Sequence, residues 1–259
     1  MAKYPCRLLS TGFNDAYYNM GLDEALLESV AAAQLTGSDQ AVLRFYGWDP
    51  PAVSVGYSQS LADEVDIASA RRHGFDIVRR VSGGGAVLHK SELTYSIILP
   101  LDHPLAGGGL DESYRILCWG LISGFSFLGI DAVFSGTNDI LAGGRKISGN
   151  AQTRRLDCLL QHGTVLLSSD VEAMFEVLKV PKDIGRGRSI SEAKKKVSSL
   201  SLILGREVPY DEAETAVTMG FSRALGLDLV KSRVNPGEET RAHELASAKF
   251  KTREWVYQK

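Results

Sequence analysis

The stretch Ala132 to Leu167, AVFSGTNDILAGGRKISGNAQTRRLDCLLQHGTVLL, decides the fold class. It reads as a β-rich block, with a hairpin-turn signal at Gly143-Gly144. Working outward, Leu93 to Leu99 and Ala86 to Leu88 read as strands paired around a turn at Lys90-Ser91. Phe75 to Arg80, Ala52 to Gly56 and Ala41 to Tyr46 read as further strands. Helical spacing marks Asn14 to Ala33, Ala62 to His73 and Asp111 to Leu128. Beyond Asp170 the chain turns mainly helical, at about Val171 to Leu178, Ile190 to Lys196, Tyr210 to Leu225 and Pro236 to Lys249. Strands and helices mix here without regular βαβ alternation. That predicts an α+β fold, with mixed or antiparallel β-sheets flanked by helices, rather than a doubly wound parallel sheet.

Composition narrows the function classes. The 259 residues allow a substantial core, and 44% of them are hydrophobic. A formal charge of −2 offers no basic field for nucleic acid, so none is expected as a partner. No apolar run approaches the ~18 residues of a membrane span, and the first residues lack a signal-peptide pattern. Cys6, Cys118 and Cys158 match neither zinc spacing nor a disulfide framework. A cytoplasmic location without membrane attachment is the expectation.

Four motifs carry candidate chemistry. Arg79-Arg80-Val81-Ser82-Gly83-Gly84-Gly85-Ala86-Val87-Leu88-His89 places three glycines after two arginines. Such a loop lets backbone N–H groups approach a carboxylate, a phosphate or an acyl-adenylate. The alternative is a glycine-rich turn after an edge strand. The loop is neither a Walker A nor a dinucleotide fingerprint. Asn138-Asp139 offers oxygen ligands for Mg²⁺ or phosphate, or simply a β-turn. In Gly144-Arg145-Lys146-Ile147-Ser148-Gly149-Asn150-Ala151, strand alternation puts Lys146, Ser148 and Asn150 on one face. A lysine there can neutralise charge at a carboxylate or phosphoryl centre, or it can belong to a solvated strand face. Gln161-His162-Gly163-Thr164 carries a lone histidine, and no Ser/His/Asp arrangement stands out along the chain.

Taken in order, these motifs resemble the lipoate–protein ligase A family, part of the biotin/lipoate A/B protein ligase superfamily. The likeness runs from about residue 8 to residue 255. It includes Asn19-Met20-Gly21-Leu22-Asp23-Glu24, Val55-Gly56-Tyr57-Ser58-Gln59 and Val180-Pro181-Lys182. The resemblance implies a fold like that of class II aminoacyl-tRNA synthetases and biotin synthetases, and a single catalytic domain over residues 1–259. It implies ATP- and Mg²⁺-dependent activation of lipoate or octanoate as the acyl-AMP. The acyl group would then pass to a lysine of a lipoyl carrier, an H protein or an E2 lipoyl domain. Lys146 would be the catalytic cation, also touching the nucleotide. Arg79, Gly83, Gly84, Gly85, Ala86, Val87, His89 and Tyr46 would bind the substrate, with Ser148, Gly149, Ala151 and His162 beneath or beside it. Leu88 and Ile147 would add apolar wall. Asn138, Asp139, Gly85 and Lys182 would lie on the nucleotide side, with Asp139 as the metal contact.

Two departures from the family qualify this expectation. The longer ligases carry a small C-terminal accessory domain that is not expected here, so either a separate small accessory subunit supplies that function as a partner, or the enzyme does something easier than full ligation. The motifs also look like the ligase-like octanoyltransferases, which move octanoyl from acyl carrier protein without ATP through an acylated cysteine. At the expected position this chain reads Phe134-Ser135-Gly136-Thr137-Asn138-Asp139, and its later segment reads Val180-Pro181-Lys182, with no cysteine in either. On that ground the ATP-dependent ligase is expected and the transferase is the alternative. A biotin ligase fits less well, because Gly185-Arg186-Gly187-Arg188 follows the strand block. A non-catalytic acyl-binding module fits poorly with Lys146 and Asn138-Asp139.

Overall fold

Residues 3–35, 41–168, 170–179, 192 and 195–259 are described by a computed structural model. Their strands are β1 (Tyr4–Asn14), β2 (Ala41–Trp48), β3 (Ala52–Val55), β4 (Asp76–Arg79), β5 (Val87–His89) and β6 (Glu92–Pro100), then β7 (Ala132–Ser135), β8 (Asp139–Ala142), β9 (Arg145–Arg155), β10 (Cys158–Leu166) and β11 (Leu227–Lys231). Eight of them form one sheet in the order β11-β1-β2-β6-β10-β9-β8-β7, and three form a second in the order β4-β3-β5. From β2 to β7 the large sheet is antiparallel, while β1 runs parallel to both β2 and β11. The expected α+β architecture is therefore the one observed.

Strands β2 and β6 are buried along their whole length, because helices cover both faces of the sheet. Successive residues go to opposite sides. Leu43, Phe45, Tyr95 and Ile97 pack with Leu117, Leu121, Val217 and Phe221 of the helices Leu110–Phe127 and Tyr210–Leu225. Val42, Tyr46 and Ile98 pack with Leu22, Leu26, Ala242 and Leu245 of the helices Ala16–Gln34 and Pro236–Leu245. Each such side chain removed from water contributes about 1.5–3 kcal/mol. The first helix starts at its Asp15 cap, whose carboxylate accepts from the Tyr17 and Tyr18 amides. No described helix is long and apolar enough to cross a membrane.

Some elements differ from expectation. Strands β5 and β6 do not pair with each other. β5 joins β3 in the small sheet, and β6 lies between β2 and β10 in the large one, so Lys90-Ser91 links two sheets. The expected helix Ala62–His73 is two short helices, Leu61–Glu64 and Ile67–Arg72, because Asp66 caps a new start through the Ser69 amide. The hairpin between β8 and β9 forms as expected, with Gly143 and Gly144 both at positive φ. Strands β1 and β11 have no counterpart in the sequence reading. Most of the helix expected at Ile190 to Lys196 lies outside the described residues.

A buried ionic knot fixes the first helix on the sheet. Arg44 Nη1 lies 2.7 Å from Asp23 Oδ1, with both side chains at most 1% exposed. Arg44 also donates to the Asn19 carbonyl, Asn19 Oδ1 and Thr11 Oγ1. Asp23 accepts from Ser96 Oγ at 2.9 Å and Tyr46 Oη at 3.0 Å. Burial alone would raise the Asp23 pKa, but the hydrogen bond from His162 and the charge of Arg44 outweigh it and hold the carboxyl below its ordinary value. Asp23→Ala leaves Arg44 buried without a counter-charge. The expected loss is about 3–5 kcal/mol, read as a lower urea midpoint at unchanged slope. In the wild type, the stability that Asp23 supplies is present above ~3.9, the ordinary value of an unfolded aspartate. It drains away as pH falls through the lower folded value, so acid unfolding of the wild type should flatten in Asp23→Asn.

Candidate active site

The two sheets enclose a cavity of about 270 Å³. On the small-sheet side it is lined by Ser54 of β3, Gly84 and Gly85 of the glycine loop, and Ala86, Val87, Leu88 and His89 through β5. On the large-sheet side it is lined by Tyr46 and Trp48 of β2, Thr94 of β6, Lys146 to Ala151 of β9 in part, and His162 to Leu166 of β10 in part. Met20 of the first helix, Met174, Leu178 and Val197 complete the wall. One end is enclosed: Met20, Tyr46, Trp48, Ser54, Thr94 and His89 are all nearly inaccessible. The other end opens at Lys146, whose side chain is 39% exposed, and at Gly84 and Gly85. The shape suits an extended apolar chain with its reactive end at the mouth.

Most expected site residues meet here. Tyr46, Gly84, Gly85, Ala86, Val87, His89, Asn138, Lys146, Gly149, Ala151 and His162 all line the cavity, as does Leu88. Asp139 stands at its edge, paired with Lys146. Arg79, Gly83, Ile147 and Ser148 do not line it, and Lys182 lies outside the described residues. Arg79 is fully buried, and its guanidinium donates to the carbonyls of Gly56, Gln59 and Val256, tying the C-terminal segment to β4. Neighbouring side chains point to opposite sides, so Arg80 faces the cavity instead. Arg80 donates to the carbonyls of Gly83 and Gly85 at 2.7 Å and to Ser54 Oγ at 3.0 Å, which holds the glycine loop in shape. Burial pulls its pKa down to about 10.

A bulge aims Lys146. Ile140 pairs with Ser148, but the next residue, Leu141, pairs with Lys146, so β9 carries one extra residue here. The register shift breaks the simple alternation expected of Lys146, Ser148 and Asn150. Ser148 is fully buried and does not line the cavity, while Lys146 shares it with Gly149, Asn150 and Ala151. The next segment holds the bulge from outside, with the Ser198 amide donating to the Lys146 carbonyl at 2.8 Å. Lys146 Nζ sits 2.7 Å from Asp139 Oδ1. Gly149 makes this possible: a Cβ on Gly149 would stand 2.7 Å from both Cε and Nζ of Lys146. Beside them Asn138 and Asn150 lock together, the side-chain amide of each donating to the other's backbone carbonyl. Tyr95 Oη donates to Asn150 Oδ1 at 2.6 Å, from below.

Two serine–histidine–carboxylate relays join the sheets around the cavity. His89 Nδ1 is 2.5 Å from Glu92 Oε1, and its Nε2 is 2.7 Å from Ser54 Oγ. His162 Nδ1 is 3.1 Å from Asp23 Oδ2, and its Nε2 is 2.5 Å from Ser82 Oγ. A neutral imidazole that donates at Nδ1 to a carboxylate accepts at Nε2 from the serine. The members of each relay lie far apart in sequence or on different elements, so spacing gave no sign of them. Trp48 stacks on the His89 ring at 4.1 Å, which joins the first relay to the enclosed end. The second relay anchors the residue just before the three glycines. Both are polar ties across the cavity, and neither serine is more than 1% exposed.

The cysteines stand apart from all this. Cys6, Cys118 and Cys158 are buried, and none lines the cavity. Burial pushes their thiols up to about 12, 12 and 11 respectively. Among the described residues no group of three or more His, Cys, Asp or Glu side chains converges to hold a metal ion. Asp139, the expected metal contact, is engaged with Lys146.

Residues 15–222 match the family model of the lipoyl protein ligase A/B catalytic domain. An octanoyltransferase LipM of Symbiobacterium thermophilum is 38% identical over 98% of each chain. One of Geobacillus kaustophilus is 34% identical over the whole of both. Among solved structures, the bipartite lipoate protein ligase of Thermoplasma acidophilum, described with its E2 lipoyl domain, superposes with a TM-score of 0.86 at 28% identity, covering 99% of this chain and 97% of that one. A lipoate-protein ligase A bound with ATP superposes at 0.82 with 27% identity, covering 99% of each. The fold is thus that of the lipoate ligases, as the class II synthetase-like expectation required.

The expected reaction is corrected. ATP-dependent ligation through an acyl-AMP gives way to the transferase alternative, because chain-long relatives at 31–38% identity are octanoyltransferases. ATP and Mg²⁺ lose their support with it. The error has a physical source. The ligase expectation rests on one local difference, the lack of a cysteine from Phe134 to Asp139, and the likeness to octanoyltransferases along the whole chain outweighs it. The burial of the thiols is directly measurable. The folded protein should resist a neutral aqueous thiol reagent, and all three cysteines should react once denaturant unfolds it. Rapid labelling of the folded protein would show that a thiol is accessible after all.

Proposed function

The chain belongs to the lipoyl protein ligase A/B catalytic-domain family, and from that premise we propose that it is an octanoyltransferase. It takes an octanoyl group from its thioester on a carrier protein and places it on a lysine of a lipoyl carrier domain, of the H-protein or E2 type, without ATP. The observation that carries this reading is the likeness to octanoyltransferases along 98% of the chain. An apolar cavity that opens at Lys146 supports this reading.

In this reading the alkyl tail lies along Val87, Leu88 and Leu166 toward Trp48 and Met20. Burying each methylene contributes about 0.8 kcal/mol, so the tail anchors the substrate and fixes where its carbonyl stands. The carbonyl comes to rest at the mouth, beside Lys146 and the glycine loop. As the tetrahedral intermediate forms, negative charge collects on the carbonyl oxygen. The Lys146 ammonium and loop N–H groups stand where they can receive it. Asp139 holds the ammonium in place, and the Asn138–Asn150 lock keeps the strand edge rigid behind it. His162 acts at one remove, by fixing Ser82 and hence the loop.

The deciding assay mixes the purified chain, octanoyl-loaded acyl carrier protein and an apo lipoyl domain, with no nucleotide present. Octanoyl should appear on the lipoyl domain at a rate that neither ATP nor a separate accessory subunit raises. Dependence on ATP would reject the proposal. Lys146→Ala should slow transfer by about 10²–10³ while the protein stays folded. Gly149→Ala should also fold normally, since only the flexible end of Lys146 must move aside. Displacing that ammonium should cost about 10² in rate, and full activity in Gly149→Ala would show that the position of Lys146 is not critical.

A further inference from the structure

Gln161 and Gly163 flank His162 on β10, and each takes part in a second polar network on the other side of the sheet. Strand β10 lies between β6 and β9, and its Gly163 pairs with Tyr95 on one side and with Asn150 on the other. A Cβ on Gly163 would stand 2.2 Å from Asn150 Oδ1. The missing side chain is therefore a gap, through which Tyr95 reaches across β10 and donates to Asn150 Oδ1 at 2.6 Å. That bond is one of a run. Gln152 Nε2 donates to Gln161 Oε1 at 3.0 Å, and Gln161 Nε2 donates to Tyr95 Oη at 2.7 Å. Asn150 Nδ2 donates to the Asn138 carbonyl at 2.8 Å. At the far end, Ser113 Oγ stands 3.0 Å from Gln152 Oε1. Tyr95 and Gln161 are fully buried, and Asn150 and Gln152 are nearly so.

The run has one direction. A carbonyl only accepts, so Asn150 turns its Nδ2 to Asn138 and its Oδ1 to Tyr95. Tyr95 must then donate to Asn150, and its oxygen accepts from Gln161, which leaves Gln161 Oε1 for Gln152. Each bond polarises the next, and with water excluded a broken link is not replaced. The end that matters is Asn138. It precedes Asp139, whose carboxylate lies 2.7 Å from Lys146 Nζ. The Asn138 side-chain amide donates back to the Asn150 carbonyl, so the Asn150 amide locks the turn before β8 onto β9. Neither Tyr95 nor Gln161 lines the cavity.

We propose that Tyr95 is a positioning residue for acyl transfer: it fixes the Asn150 amide through the gap at Gly163, and through the Asn138–Asn150 lock it fixes Asp139 and the Lys146 ammonium at the cavity mouth. The inference rests on the octanoyltransferase reading and on the role of Lys146 within it. Without the Tyr95 hydroxyl, Asn150 Oδ1 loses its donor and the amide is free to rotate. The ammonium then spreads over positions away from the carbonyl oxygen whose charge it receives. Binding of the alkyl tail is untouched, because Val87, Leu88 and Leu166, along which the tail lies, take no part in the run.

A double-mutant cycle on the full chain tests this. Wild type, Tyr95→Phe, Lys146→Ala and the double variant are compared for passage of octanoyl from octanoyl acyl carrier protein to an apo lipoyl domain, each shown to be folded by circular dichroism. Tyr95→Phe should lower kcat by about tenfold, with KM for both carriers unchanged, and should cause no further loss in the Lys146→Ala background. A wild-type kcat in Tyr95→Phe would overturn the inference. So would the same fold loss with and without Lys146, which would make Tyr95 a structural residue only. If Tyr95→Phe does not fold, Gln161→Met is read by the same two criteria, since it keeps the buried volume and removes the donor to Tyr95. If the wild type itself passes no octanoyl from donor to acceptor, the transferase reading fails, and this inference with it.

Discussion

The contact between Asp23 and Arg44, sealed from water, is the constraint on which the rest of the site depends. A buried ion pair is rarely a gain in stability, because desolvating both charges costs several kcal/mol each. It is tolerated here because every polar atom around it is used. Arg44 satisfies Asn19 and Thr11, while Asp23 receives Ser96, Tyr46 and His162. The knot therefore specifies one arrangement of the first helix on the sheet, and any slippage would strand a charge. Two of its members, Tyr46 and His162, are also walls of the cavity. The position of the cavity is thus set by the same hydrogen bonds that seat the helix.

From that knot the order propagates outward. His162 holds Ser82, and Ser82 opens the glycine loop. Arg80 gathers the carbonyls of Gly83 and Gly85, which holds the loop in shape at the cavity wall. Across the cavity, the relay from Glu92 through His89 to Ser54 ties the small sheet to the large one. The cavity is what remains between two sheets held apart by these ties. Its enclosed end is aromatic and its open end carries the charge, a gradient that suits a long alkyl chain bearing one polar group.

The motif residues were largely legible because they cluster in sequence. The glycine loop, Asn138, Lys146, Gly149, Ala151 and His162 were read directly, and the structure brings them together. Arg79 and Arg80 could not be told apart by sequence, since two adjacent identical residues on a strand differ only in which way they point. Met20, Trp48, Ser54 and Thr94 were missed because each looks like an ordinary core residue in its own segment. Ser148 was placed beside Lys146 by simple alternation, and a bulge of one residue reversed that. Strands β1 and β11 escaped notice because only their pairing with each other and with β2 makes them strands.

The sequence by itself determined the α+β class, the hairpin at Gly143-Gly144, the main helices and the kinship with lipoyl-type ligases and transferases. These follow from local rules: side-chain periodicity, caps, positive-φ glycines and motifs whose members lie within a few residues of each other. Tertiary structure alone decided which face Lys146 presents, that two histidines each bridge a serine to a carboxylate, and that all three thiols are sealed away from the cavity. Those properties depend on distances between residues far apart in the chain. Such distances are fixed only when the sheets and helices pack and water is expelled from between them.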